Sequence, residues 1–264
     1  MLKLVSIYKT YSLNNEKAIP VLSDLNLCLN NNKTLVIFGE NGSGKTTLLN
    51  IIYGKDLDFK GKIIYNNKDI TKLPFVERAS NFLLLHQNRN TGLPETLTLL
   101  EVYAIIKNDK GLFLHKKRYY KELFSKLKRF EIGLEKLIHR QLKSLSGGEY
   151  QLFNMILLIE KIKDNKQYLI LLDEHTAHLD PNITEKVIEL TKEITQKKNT
   201  STIIISHNIN QGISLSENLG ILKQGKLYIL KKDFDWNEEK IKKIFVERNI
   251  KKYVYNENGG QHCI

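Results

Sequence analysis

No stretch of the chain approaches the ~18–20 consecutive apolar residues needed to cross a bilayer. Its strongest apolar runs, such as Leu169 to Leu172 and Ile203 to Ile205, have the length of buried strands. The opening MLKLVSIYKT also lacks the apolar segment of a secretory signal. A cytoplasmic protein is therefore expected. Cysteine is scarce. Cys28 and Cys263 lie far apart, with no CxxC or metal-ligand spacing, and are read as a core thiol and a tail thiol. There is no zinc finger or RNP-type motif, so nucleic acid is not an expected partner. Internal repeats, strongly low-complexity segments and sustained heptads are absent too.

What is present is an ordinary globular composition in 264 residues, with 41% hydrophobic and 27% charged side chains. That length supports one large α/β domain, or one domain with a sizeable insertion. The formal charge of +12 is compatible with an anionic partner surface. Lys116, Lys117 and Arg118 form the clearest basic cluster, read as a solvated helix face or as a contact for lipid headgroups or a partner.

Four apolar runs, Thr34 to Phe38, Phe82 to Leu85, Tyr168 to Leu172 and Thr202 to Ile205, are continuous rather than alternating. That pattern suits central parallel strands covered on both faces. Helical patterns lie between them. At Asp180-Pro181 the aspartate can cap and the proline suits a first helical position, and Ile183, Val187, Leu190 and Ile194 then recur at helical spacing. A parallel α/β core follows. From about Leu99 to Lys143 the chain reads as a mostly helical insert, with Tyr120, Leu123, Phe124 and Leu127 on one helix face. Gly61 and Gly225 flank short β-like pieces, Lys62 to Tyr65 and Leu227 to Leu230, which suit antiparallel edges. A helix through Phe245 and a polar tail, disordered over Asn256 to Gly260, are expected at the end.

The motif GENGSGKT, Gly39 to Thr46, fits G-x-x-x-x-G-K-[ST] and stands between an apolar strand and a helical pattern over Lys45 to Tyr53. Its glycines let successive N–H groups turn toward an anion, and the helix start adds partial positive charge. Lys45 is placed to reach the β- and γ-phosphates, and the Thr46 hydroxyl to bind Mg²⁺. YLILLDE, Tyr168 to Glu174, is an apolar strand ending in two acids, at the strand end where open α/β sheets bind ligands. Asp173 can hold Mg²⁺, and Glu174 can orient or deprotonate an attacking water.

LSGGE, Leu145 to Glu149, contains an S-x-x-E capping box, Ser146 with Glu149, and therefore a capped helix start. With this motif following the phosphate loop and preceding the acidic pair, the chain resembles the ABC ATPase family over about Leu2 to Leu230. The resemblance implies a P-loop NTPase fold: a parallel central sheet, a small antiparallel β subdomain and a helical subdomain insert. It implies a nucleotide-binding domain over 1–235, with the helical subdomain at about 88–150, and a C-terminal helix and polar tail over 236–264. It also implies ATP and Mg²⁺ bound by Gly39, Asn41, Gly42, Ser43, Gly44, Lys45, Thr46 and Thr47, in a homodimer that sandwiches ATP. Ser146, Gly147 and Gly148 would contact the γ-phosphate held by the second subunit. Gln87 looks like the glutamine that senses Mg²⁺ and a permease, His207 like the switch histidine, and Asp180 like the aspartate linking the two sites. Tyr11 resembles the aromatic that stacks on adenine, with Tyr8 a competitor.

Two departures stand out. His175 replaces the proline that usually follows the acidic pair, and Asn31, Asn32 and Lys33 replace the usual Gly-Glu before the first central strand. His175 and His178 lie three apart, but no third metal ligand is evident. DEHTAHLDP, with LEKLIHRQLKSLSGGE before it, resembles ATPases of bacterial tryptophan/tyrosine-type uptake systems. The implied function is ATP hydrolysis powering solute import, as a peripheral subunit on the cytoplasmic face of the cell membrane. Implied partners are separate permease subunits and a solute-binding protein. An exporter subunit and a non-transport ABC ATPase are the alternatives.

Overall fold

The computed structural model describes residues 1–12, 18–86, 94–107, 116–232, 235–247, 250–255 and 263–264. The tail segment 256–260 and Gln87 lie outside them. Two compact units are formed, the first by Met1–Leu84, Asn165–Glu174 and Thr195–Ile264, the second by Leu85–Asp164 and His175–Ile194.

In the first unit the chain enters through β1 (Leu2–Tyr11) and β2 (Ile19–Leu29), continues into β3 (Thr34–Phe38) and α1 (Lys45–Tyr53), and returns through β4 (Lys60–Tyr65) and β5 (Lys68–Asp69). A short helix, α2 (Phe75–Arg78), then leads to β6 (Phe82–Leu85). Among the described residues β2, β1, β4 and β5 form, in that order, an antiparallel sheet. The second unit holds α3 (Leu99–Ile106), α4 (Lys116–Lys128) and α5 (Gly147–Lys161). The chain then returns to the first unit with β7 (Tyr168–Asp173) and to the second with α6 (Pro181–Thr195). It finishes in the first unit with β8 (Thr200–Ile205), α7 (Ile209–Leu215), β9 (Asn218–Lys223), β10 (Lys226–Ile229) and α8 (Glu238–Val246). The larger sheet has the order β10-β9-β3-β8-β7-β6. β3, β7, β8 and β9 run parallel, and β10 is antiparallel to β9.

Every residue of β3, β7 and β8 is buried, as continuous apolar runs require. Leu35 and Ile37 join Leu48, Leu49, Ile51 and Ile52 of α1, and Leu169, Leu171, Ile203 and Ile205, in one core. The opposite face of β3 meets α7 so closely that a Cβ on Gly212 would fall 2.5 Å from the Phe38 ring. The antiparallel sheet is bound into the same core through Leu2, Leu4, Ile7, Leu25, Leu27 and Ile63. Burying each Ile or Leu contributes about 1.5–3 kcal/mol. The two sheets also join at the β9–β10 turn, where Ser23 N donates to Gly225 O at 2.9 Å.

In the second unit, Asp180 caps α6 as its sequence predicts, accepting from Ile183 N at 3.0 Å, and Ile183, Val187, Leu190 and Ile194 are buried. Half-buried Glu160 of α5 binds α3 and α4 together, pairing with Lys107 at 2.5 Å and Lys126 at 2.6 Å. Burial alone would raise the Glu160 carboxyl; hydrogen bonds and charges from the two lysines outweigh it and hold the group below its ordinary range.

The cysteines correct the sequence reading. Cys28 and Cys263 are joined in a disulfide with Cα atoms 4.5 Å apart. Residues 263–264 lie along the outer edge of β2, where Asn30 N donates to Ile264 O at 2.7 Å and Ile264 N to Cys28 O at 3.0 Å. The Ile264 side chain enters the core. A separation of 235 residues carries no pairing signal in sequence, because pairing depends on Cα geometry that only the fold supplies. The closed loop spans most of the chain, so the bond restricts the unfolded state strongly. Reduction, or Cys263→Ser, is expected to lower stability by about 2–4 kcal/mol. Thermal melts with and without a thiol reductant check this; a reductant effect that persists in Cys263→Ser would show that it does not come from this bond.

Candidate functional site

β3 ends at Phe38, and residues 39–44 form a loop that turns directly into α1. The joint is Gly44, at φ 98°, in the left-handed region that favours glycine. α1 has no side-chain cap and no acid in its first turn, so its leading N–H groups meet no competing acceptor from a cap. A Cβ on Gly39 would lie 2.6 Å from Ser43 Oγ and 2.8 Å from Leu222 O, so only glycine fits where the loop begins. Ser43 Oγ is buried and without a hydrogen-bond partner among the described residues. Lys45 Nζ donates to Gly39 O and Glu40 O, at 2.9 Å each. Burial lowers the Lys45 pKa, against the opposing charges of Glu174 and Asp173. Thr46 and Thr47 stand in the first turn of α1, with Thr46 exposed, and Asn41 and Gly42 form the exposed tip.

The register of the central strands brings the acids to this loop. Ile37 of β3 pairs with Ile205 of β8, which pairs with Asp173 of β7. One or two residues beyond that row come Gly39, Glu174 and His207. Asp173 is buried at the strand end. Glu174 sits at φ 48°, a conformation that costs a non-glycine residue about 1–3 kcal/mol. Its N–H donates to Ile205 O at 3.1 Å, and its Oε1 lies 2.5 Å from His207 Nε2. A lysine, two carboxylates and a histidine therefore surround a loop of backbone donors. Such a set can hold a phosphate chain and take a proton from a water. The hard oxygen donors of Thr46 and Asp173 also suit Mg²⁺.

Tyr11 and Tyr8 leave opposite faces of β1. Tyr11 pairs with Ile19 of β2, and two residues further along, Val21 lies against the phosphate loop: a Cβ on Gly44 would sit 2.9 Å from its Cγ1. Tyr8, with Thr10, Asp58, Phe59 and Lys60, lines a separate hollow of about 450 Å³.

In the second unit Ser146 caps α5. Glu149 N donates to Ser146 Oγ at 3.2 Å and Ser146 N to Glu149 Oε2 at 2.7 Å, the reciprocal box read from sequence. Gly147 is exposed with nothing near its missing Cβ, whereas a Cβ on Gly148 would touch Ile183 at 3.1 Å. His175 is buried. Its Nε2–H donates to Thr191 Oγ at 2.8 Å, since that hydroxyl already donates to Val187 O, and its carbonyl accepts from Gln151 Nε2 at 3.0 Å. Sequence reasoning missed this tie, and also the contacts of Lys9 with Asp56 and Asp58. Gln87 lies outside the described residues.

The fold and this cluster define a nucleoside triphosphate-hydrolysing phosphate-loop protein. The family model described as ABC transporter matches residues 22–177, and the chain belongs to that family. It is an ATP-binding subunit and an ATPase. It is 29% identical to the tyrosine transport ATP-binding protein of Clostridioides difficile (strain R20291), across 97% of this chain and 99% of that one. It is 33% identical to the lipoprotein-releasing system ATP-binding protein LolD of Wigglesworthia glossinidia brevipalpis, across 86% and 96%. A dimeric ATP-binding cassette in a post-hydrolysis state, bound to ADP and Pi, matches with a TM-score of 0.71 at 27% identity, across 86% and 96%.

Burial pushes His175 down from 6.5 to about 4. Above pH 6.5 it is neutral both folded and unfolded. As the pH falls toward 4 only the unfolded chain takes the proton, so stability is lost across that window, by about 3 kcal/mol in full. Denaturant titrations at pH 7 and pH 4.5 are expected to show this loss, and to show a smaller one in His175→Asn. An equal loss in the variant would assign the acid sensitivity to other groups.

Proposed function

We propose that this chain powers solute import: it hydrolyses ATP at the cytoplasmic face of a membrane to drive uptake of an amino acid or related small molecule. The path for the solute is a separate permease, and a solute-binding protein delivers the cargo. The observation that carries this reading is the end-to-end match to a tyrosine transport ATP-binding protein. No described helix is long and apolar enough to cross a membrane, which is consistent with a separate permease.

Two copies close on two ATP molecules. In each, the N–H groups of residues 39–47 and the Lys45 ammonium hold the phosphates, and Tyr11 stacks on adenine. Ser146, Gly147 and Gly148 of the second copy meet the γ-phosphate, and Asp180 links the two sites. Thr46, Asp173 and Gln87 would hold Mg²⁺, which neutralises phosphate charge when bound. Glu174 takes a proton from water as the water oxygen bonds to the γ-phosphorus and the bond to the ADP oxygen breaks. His207, in contact with Glu174, fixes that carboxylate and binds the γ-phosphate. Loss of the γ-phosphate releases the two halves, and this difference in affinity between closed and open states couples hydrolysis to the permease.

Glu174→Gln is expected to bind ATP, accumulate as a dimer and lose at least about 100-fold in turnover. Normal steady-state turnover in this variant would remove Glu174 from its role. Lys45→Ala is expected to weaken ATP binding about 10- to 100-fold, measured calorimetrically; unchanged affinity would refute the assignment.

Export is the second reading, supported by the similarity to a lipoprotein-releasing system protein. Affinity purification from native membranes in mild detergent, with co-purifying chains identified by mass spectrometry, separates the two. A multi-helix permease with a solute-binding protein supports import. A permease that co-purifies with a substrate to be released from the membrane supports export, and a ribosomal or DNA-bound partner overturns transport altogether.

A further inference from the structure

Lys9 is a buried cation on a strand whose neighbours Tyr8 and Thr10 face solvent. Its Nζ lies 3.0 Å from Asp56 Oδ1, 2.5 Å from Asp58 O and 3.2 Å from Asp58 Oδ2. Burial alone would lower its pKa, but hydrogen bonds and charges from Asp56 and Asp58 outweigh that and raise it, so the ammonium stays charged. The same ammonium lies 4.8 Å from the centroid of the Tyr11 ring, and the Tyr11 hydroxyl donates to Asp56 Oδ2 at 3.3 Å. The ring is held at its face by Lys9 and at its tip by Asp56. Even so, 44% of Tyr11 remains exposed.

A strut between β1 and the segment after α1 needs only the lysine and its carboxylates. It does not need the phenol, and it does not leave a large aromatic half exposed. We propose that Lys9 and Asp56 are positioning residues for the nucleotide base: they fix the Tyr11 ring in one orientation before adenine arrives, so that stacking costs little ordering. The inference rests on the reading of Tyr11 as the base-stacking residue. Its physical content is pre-organisation, since a side chain immobilised before binding pays no rotamer entropy during it. The ammonium also draws π density toward one ring face, which lessens repulsion between the other face and an electron-rich purine.

The experiment is calorimetric titration of the full chain with MgATP and, separately, with magnesium tripolyphosphate, which carries the phosphates without a base. The variants are Tyr11→Ala, Tyr11→Phe, Asp56→Ala and the double variant Tyr11→Ala with Asp56→Ala. Asp56→Ala is expected to weaken ATP about 3- to 10-fold. It should leave tripolyphosphate unchanged and cause no further loss when Tyr11 is already alanine. Tyr11→Phe loses only the hydroxyl contact with Asp56. It alters an exposed side chain, so it tests the same link should Asp56→Ala fail to fold, and a smaller loss confined to ATP is expected. Equal losses for ATP and tripolyphosphate, additive losses in the double variant, or no effect of either Asp56→Ala or Tyr11→Phe on ATP would overturn the positioning role while Tyr11→Ala still weakened ATP. If Tyr11→Ala itself left ATP affinity unchanged, the stacking reading would fall and the proposal with it.

Discussion

The phosphate loop, the acidic pair and His207 are placed by the burial of three adjacent parallel strands. β3, β8 and β7 are covered on both faces, so along their length they can carry almost nothing but Val, Ile, Leu and small hydroxyl residues. Charge can appear only where the strands emerge from cover. Because Ile37, Ile205 and Asp173 share one row of the ladder, the strands emerge together. The phosphate loop, the acidic pair and His207 are therefore brought to one edge by register rather than by mutual attraction. A one-residue slip of β7 against β8 would turn its acids to the opposite face of the sheet. The site is as well specified as the core beneath it. The strained φ of Glu174 is tolerated because its N–H continues that ladder, to Ile205 O.

This dependence explains what the sequence could and could not disclose. Three of the four apolar runs form strands buried throughout, whereas the fourth, β6, ends the sheet among the described residues with Leu83 and Leu84 half-buried, and α1 began and ended where its pattern said, since the loop before it leaves few alternatives for the backbone. The cap of α6 by Asp180 and the reciprocal box of Ser146 with Glu149 were legible for the same reason: both are local, within three residues. What was missed is long-range. The Cys28–Cys263 bond, the Lys9 cluster with Asp56 and Asp58, and the Gln151–His175 contact join residues whose proximity depends on the whole fold. Lys9 left one faint local sign, a lysine in phase with the buried positions of its strand, but exposed edges carry such lysines too often for it to decide anything.

The disulfide bears on where the protein works. A cross-link of this kind persists where the thiol poise is oxidising and opens where it is reducing. For a subunit acting on the cytoplasmic side, as proposed, the reduced chain is the working form. Among the described residues, 263–264 then hold to β2 through two backbone hydrogen bonds and the Ile264 side chain. Those contacts close an otherwise open sheet edge, which gives the tail a use that does not require the covalent bond.

The two glycine-bearing helix starts are built differently, and the difference suits different tasks. α1 begins with a left-handed glycine, no cap and no acid, so its N–H groups and partial positive charge are available to an anion at once. α5 begins with the Ser146 hydroxyl already accepting from Glu149 N, and a carboxylate sits in its first turn. An anion approaching α5 would meet donors partly satisfied and a field partly cancelled. On the proposed mechanism this asymmetry is useful. α1 holds nucleotide in either state of the dimer. The contact from α5 contributes only when a γ-phosphate is already fixed in place by the other copy. A strong second site would hold the two copies together after hydrolysis and remove the difference in affinity that does the work.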